Sequence, residues 1–300
     1  MQNYAITTDM AADMPEGFFE SRGVDVVPMP FSIGSTDCYT EGIPGYKEFY
    51  ERMRDGETAT TSQVSSYDAI KVFESHLEKG EDVLHISFSS GMSGGHSALT
   101  SSACELERRF PGRRVRVLDS LSGCGGQGLM VRDALAMRDK GMSLDETADA
   151  LAASAMCYNH FFIVEDLGTL YRGGRLSRLE ATVGTLLGIK PLLELNHSGK
   201  IMPLLKVMGK KKAIAALAEY AAKYYRPAVD KLILVEHGDD EAGAATLADK
   251  IRALIPDAQI ETCYVNYLVG AHAGPGALAV FFKGAERPRF INLPFGKENA

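Results

Sequence analysis

Nowhere does an apolar run reach the ~18 residues that cross a bilayer as a helix. The N-terminal segment MQNYAITTDMAADMP also lacks a basic stretch followed by an apolar one. Neither export nor membrane insertion is expected, so a cytoplasmic location is. Positive charge is scarce too: 32 Lys and Arg against 39 Asp and Glu leave a formal charge of −7. That balance argues against the broad basic stripe of a nucleic-acid binder. The five cysteines, Cys38, Cys104, Cys124, Cys157 and Cys263, are odd in number and include no C-x-x-C pair. Neither a disulfide framework nor a zinc knuckle is suggested. The seven histidines form no H-x-x-x-H motif or His/Cys cluster, and no metal is expected.

What is present is an ordinary globular composition, 45% hydrophobic and 24% charged, in 300 residues. That length exceeds what one core commonly fills, so two domains are expected. In the first half, short β-rich runs (YAIT, VDVVPMPF, DVLHISFS, RVRVLDS) alternate with helical patterns near 46–54, 65–79, 93–109, 126–140 and 143–156. Strand, polar or glycine-rich turn, then helix builds a mainly parallel sheet with ligands at the carboxyl ends of its strands. After Tyr158 the strands arrive in closer succession, with a hairpin at NHSG and helices near 211–224 and 241–254. The expected fold is α/β in two domains. Residues 1–157 form the larger, three-layer α/β/α domain, 158–288 a smaller two-layer domain with a mixed sheet, and 289–300 a strand-like piece and tail.

Three turns could carry chemistry. Gly123-Cys124-Gly125-Gly126-Gln127-Gly128 satisfies G-x-G-x-x-G, but it follows a late strand and is succeeded by two helices. Close backbone packing therefore explains it better than a dinucleotide. Gly91-Met92-Ser93-Gly94-Gly95 is a G-x-S-x-G after a strand and before a helix, the setting of a nucleophile elbow. His272 lies downstream, with Asp230 or Asp257 to orient it, so a serine hydrolase of acyl esters stands as an alternative. Thr60-Thr61-Ser62-Gln63-Val64-Ser65 sets several hydroxyls before a helix, where the simplest role is an N-cap. Hydroxyls recur at the other strand ends (Ser89, Ser90, Ser93, Ser120), and if they converge they form a pocket of neutral donors suited to an anion.

These motifs, taken in order, resemble the DegV family of fatty-acid-binding proteins. The resemblance covers nearly the whole chain: Thr8-Asp9, TSQVS, SFSSGMSGGHSA, LDSLSGCGGQG, EDLGTLYRGGRLS, GIKPLLEL, GKI and GAHAGPGALAVFF. It implies a long-chain fatty acid buried between the two domains, with its carboxylate at Thr61, Ser62, Ser93, Gly94 and His272. It further implies a non-enzymatic chain, without cofactor, that presents the carboxylate to a separate ATP-dependent fatty acid kinase, in the service of phospholipid synthesis. Arg172-Gly173-Gly174-Arg175…Arg178 would then be a lip for the kinase. Met208 stands where family members often carry arginine. A monomer with a transient partner is expected, and a lipid sensor without a kinase is a further alternative.

About sixteen buried carbons supply at most on the order of 10 kcal/mol before association costs. The tail therefore drives binding. The headgroup must be paired, because an unpaired carboxylate in a dry site costs several kcal/mol. Phe161, Ile163, Leu186, Leu187 and Ile189 are candidates for tunnel or core.

Overall fold

The computed structural model of the chain describes residues 4–176 and 188–287. Leu186, Leu187, Arg178 and the segment 289–300 lie outside those residues. Four strands form an all-parallel sheet in the order Asp25–Val27, Tyr4–Asp9, Asp82–Ser87, Val115–Asp119. Tyr4–Asp9 and Asp82–Ser87 are buried along their whole length, as expected of strands covered by helices on both faces. Six strands form a second, mixed sheet, in the order Ile201–Met208, Ile189–Leu195, Tyr158–Ile163, Leu278–Lys283, Leu232–His237, Gln259–Tyr264. Only the last two of these neighbours run parallel; the others are antiparallel. A mixed α/β fold with a parallel sheet and a separate mixed sheet is thus what the chain adopts.

Local chemistry explains the departures from the sequence reading. The run VDVVPMPF splits at Pro28 and Pro30, which have no N–H to give a ladder. Asp25–Val27 stays in the parallel sheet, while Phe31–Ile33 joins a small antiparallel sheet with Thr36–Asp37 and Ala59–Thr61. Pairing Phe31 with Thr61 fixes where the TSQVS turn begins. The helix after it, Ser66–Leu77, is capped by Ser65, whose Oγ accepts the Tyr67 N–H at 3.1 Å. Ser65 meets the capping demand, which leaves Thr61 and Ser62 for other work.

Of the short helices absent from the sequence reading, two position the site. Leu167–Arg172 starts at Asp166, whose carboxylate accepts the Gly168 N–H at 2.7 Å. Tyr267–Ala273 starts at Asn266, whose Oδ1 accepts the Val269 N–H at 2.9 Å. The second helix leaves the mixed sheet and buries Tyr267, Leu268 and Ala271 in the core beneath the parallel sheet. This crossing carries His272 over to Thr61.

The two sheet systems are stitched together around the G-x-S-x-G turn. Gly91 lies so close to the Ser198 carbonyl in the NHSG hairpin that a Cβ there would collide with backbone. Beside it, Ser89 Oγ donates to the Gly199 carbonyl at 2.9 Å. The hairpin is held by Asn196, whose Oδ1 accepts the N–H groups of Ser198 and Lys200 at 2.9 and 3.0 Å. The first glycine of the motif therefore serves close approach between backbones.

Candidate fatty-acid site

Each element that reaches the site has a local reason for its course. Asp9, at the end of its strand, accepts the Phe88 N–H at 2.7 Å, the Ala11 N–H at 3.1 Å and Gln127 Nε2 at 3.0 Å. This fixes the start of the loop carrying Ser93. Ser93 Oγ accepts the Gly95 N–H at 3.2 Å, so its own hydrogen remains free to point at a ligand. Opposite it, Thr61 Oγ1 and His272 Nε2 are 2.8 Å apart. Burial pushes the His272 pKa down to about 4, and the nearby Arg175 guanidinium adds to the shift. At neutral pH the imidazole is uncharged, although it sits in the last turn of its helix, where the dipole favours a cation.

Thr61, Ser62, Ser93, His272 and Arg175 line one cavity. Ser62 is the most exposed of the hydroxyls, and its N–H donates to the Pro30 carbonyl at 2.9 Å. Gly94 is exposed at the rim, where a Cβ would approach the Gln63 amide oxygen at 2.6 Å. Of the two arginines expected at an outer lip, Arg175 lines both the inner cavity and the outer cleft. Its guanidinium is held in the wall by the Met92 carbonyl at 3.2 Å and the Gly173 carbonyl at 2.6 Å. Burial lowers its pKa, and no carboxylate among the described residues pairs with it. Gly173 is required beside it, because any Cβ would strike the His272 ring. Arg172 does face outward, into an outer cleft of about 660 Å³ that it shares with Thr61, Arg175 and His272.

Inward, the cavity runs into an apolar tunnel, the two sharing Phe88, Met92, Leu170, Ile201 and Val269. Beyond these the wall includes Phe162, Leu195, Leu278 and Phe281 from the mixed sheet. Phe161 and Ile163 point the other way, into the core under the helices of that sheet, and Ile189 is not in the wall. Alternation along Tyr158–Ile163 gives the tunnel His160 and Phe162 in their place. The lining comes from several distant elements, so no single run of sequence announces it.

The competing motifs acquire plain structural roles. In the glycine-rich turn, added Cβ atoms would meet Glu236 and Leu234 at Gly125, His160 at Gly126 and the Asp13 carbonyl at Gly128. These glycines let the helix Cys124–Asp139 lie against its neighbours, and Gln127 points inward to Thr8, Asp9 and Ile86. His272 is bonded to Thr61, and Asp230 is paired with Arg132. Among the described residues no helix is long and apolar enough to cross a membrane.

Comparison with known proteins agrees with this fold. A DegV domain-containing protein of Clostridium perfringens is 33% identical over 287 residues, covering 95% of this chain and 98% of the relative. A fatty acid binding DegV family protein of Streptococcus agalactiae superposes with a TM-score of 0.83 at 26% identity, over 95% of this chain and all of the other. DegV of Bacillus subtilis, a fatty acid binding protein, gives 0.81 at 28% identity with the same coverage. The family model described as DegV family matches residues 3–284. The chain belongs to the DegV family.

Proposed function

We propose that this protein binds one long-chain fatty acid between a domain of residues 1–157 and a domain of residues 158–288. The observation that carries the reading is a tunnel lined by apolar side chains apart from His160 and Cys124, which continues into a cavity bearing Thr61, Ser93, His272 and Arg175. Tail burial at about 0.8 kcal/mol per methylene provides the affinity. The polar end supplies what the carboxylate loses in leaving water: hydroxyl donors, and a half-buried guanidinium that gains from an anion. The fatty-acid-binding relatives from Streptococcus agalactiae and Bacillus subtilis, which share the fold over the whole chain, support the same ligand class.

The chain is a carrier, cytoplasmic and monomeric, that leaves the carboxylate accessible to a separate ATP-dependent kinase. In support, the outer cleft reaches Thr61 and His272 and has Arg172 on its wall. An acyl phosphate forming there would compete with Asp166, 3.4 Å from the exposed Arg172 guanidinium, for a cation suited to phosphate oxygens. The protein's own contribution is placement. Lipid extraction and mass spectrometry of the purified chain should recover a long-chain fatty acid. Adding a fatty acid kinase and ATP should convert it to acyl phosphate, and charge reversal at Arg172 should slow that conversion without releasing the lipid. Failure to recover or take up any fatty acid would refute the carrier. Turnover unchanged by the reversal would remove Arg172 from the transfer step.

A further inference from the structure

Behind the tunnel wall, three ligand-type atoms meet that come from positions over a hundred residues apart: a carboxylate oxygen of Asp13, the sulfur of Cys124 and a carboxylate oxygen of Glu236, all within 4.8 Å of one another. All three residues are buried, at 6%, 5% and 0% exposure. Each is held there by the fold. Glu236 projects from the mixed sheet on the same face as Leu232 and Leu234, and it pairs in register with Cys263 of the next strand. Cys124 opens its helix with φ of 47°, tied by its N–H to the Ala11 carbonyl at 2.8 Å. Asp13 Oδ2 accepts Asn266 Nδ2 at 2.9 Å and the Asn266 N–H at 3.2 Å.

A second observation points to something binding there. Both carboxylate oxygens of Glu236 are buried without a hydrogen-bond partner. Asp13, Cys124 and the Gly125 amide are its polar neighbours. Two buried carboxyl groups side by side, with no Lys or Arg paired to either among the described residues, form a costly arrangement unless a cation or a shared proton joins them. The thiol at the same point selects among cations: oxygen-only sites suit Mg²⁺ and Ca²⁺, whereas thiolate with carboxylate suits zinc.

We propose that Asp13, Cys124 and Glu236 bind a zinc ion at the junction of the two sheet systems, with water in the fourth position. Ligands on a tetrahedral zinc lie about 3.5 Å apart, so the cluster needs a contraction of at most about 1.3 Å. Binding releases the thiol proton, and any proton on the carboxyl pair, to solvent. Asp13 and Asn266 also line a surface cleft of about 450 Å³ with Glu16 and Tyr46, the side from which an ion would enter. The three ligands follow no local spacing, which is why counting His and Cys motifs along the chain does not reveal them. Cys124 and its neighbour Gly123 also face the tunnel, so the ion would brace that wall. The inference does not depend on the lipid reading.

The test uses the full chain, stripped with a chelator and titrated with Zn²⁺ and with Co²⁺ as a spectroscopic probe. The expected result is one ion per chain, a thiolate-to-cobalt absorption band in the near ultraviolet, and a rise in Tm with Zn²⁺. Cys124→Gly, which suits the positive φ, should abolish the band and weaken binding by at least about tenfold. Glu236→Gln should keep the band while weakening binding, and Cys104→Ser, at an exposed position, should change nothing. No stoichiometric metal, or a band that survives Cys124→Gly, would overturn the proposal. So would a Tm that rises in Glu236→Gln without any metal dependence, since that identifies a carboxyl pair sharing a proton.

Discussion

Ser93→Ala and Thr61→Val should weaken fatty-acid binding unequally, because the two hydroxyls start from different states. Ser93 Oγ only accepts in the free protein, from the Gly95 N–H at 3.2 Å. Its donated bond to a carboxylate is therefore new, and losing a bond to a charged group removes about 1.5–3 kcal/mol, roughly 10- to 150-fold in Kd. Thr61 Oγ1 already shares a 2.8 Å bond with His272 Nε2, so binding there exchanges one bond for a stronger one. The net loss for Thr61→Val should be nearer 1–2 kcal/mol, about 5- to 30-fold. Titration calorimetry with hexadecanoate and hexadecanol separates headgroup from tail. Both variants should lose affinity for the acid and stay within about twofold of the parent for the alcohol. Shortening the acid by two methylenes should cost about 1.6 kcal/mol in every variant, since tail and headgroup contacts are far enough apart to add. Equal losses for acid and alcohol would refute the headgroup assignment, as would an unchanged Kd in Ser93→Ala.

His272 gives a pH signature. Its folded pKa of about 4 lies below the ordinary value of 6.5, so between those values the unfolded chain binds a proton that the folded chain refuses. Stability should fall as pH drops through 6.5, level off below about 4 and be unaffected at higher pH; NMR titration of the imidazole should give the low value and show it rise when fatty acid binds. A value near 6.5 without ligand would remove the effect. Val269→Phe places a ring in the stretch shared by cavity and tunnel and should cost about 1–3 kcal/mol of stability by overpacking, while long-chain affinity falls at least tenfold in the same calorimetric assay. Gly91→Ala pushes the hairpin away from the Ser93 loop; a loss of about 1–3 kcal/mol is expected from denaturant unfolding, together with weaker lipid binding.

Legibility in the sequence followed the range of the interactions involved. Thr61, Ser93 and His272 stood out because chemistry-bearing residues at strand ends and short motifs announce themselves locally. Even so, only the crossing helix Tyr267–Ala273 explains how His272 meets Thr61. That helix is short, contains Gly270 and ends before Gly274-Pro275, so its pattern reads as a turn until tertiary packing is known. Charge alone suggests an outer lip for Arg175; two carbonyls and the absent side chain of Gly173 set it in the inner wall as well as on the outer cleft. The tunnel was least legible. Alternation tells that Phe161 and Phe162 face opposite sides, but which side holds core and which holds tunnel depends on helices distant in sequence. The glycines of both G-rich motifs matched enzyme signatures for the same reason they are needed here, close backbone approach, and pattern alone does not say what approaches.

The central claim is that a carboxylate is held at Thr61, Ser93, His272 and Arg175, and carboxyl-labelled fatty acid tests it most directly. With [1-¹³C]hexadecanoate bound to the chain, one saturable carboxyl resonance is expected, ionised to lower pH than an aqueous carboxylic acid because the donors and Arg175 favour the anion. Ser93→Ala should move it toward the aqueous behaviour. A resonance that titrates like a solvent-exposed acid, or several unsaturable ones, would contradict the account.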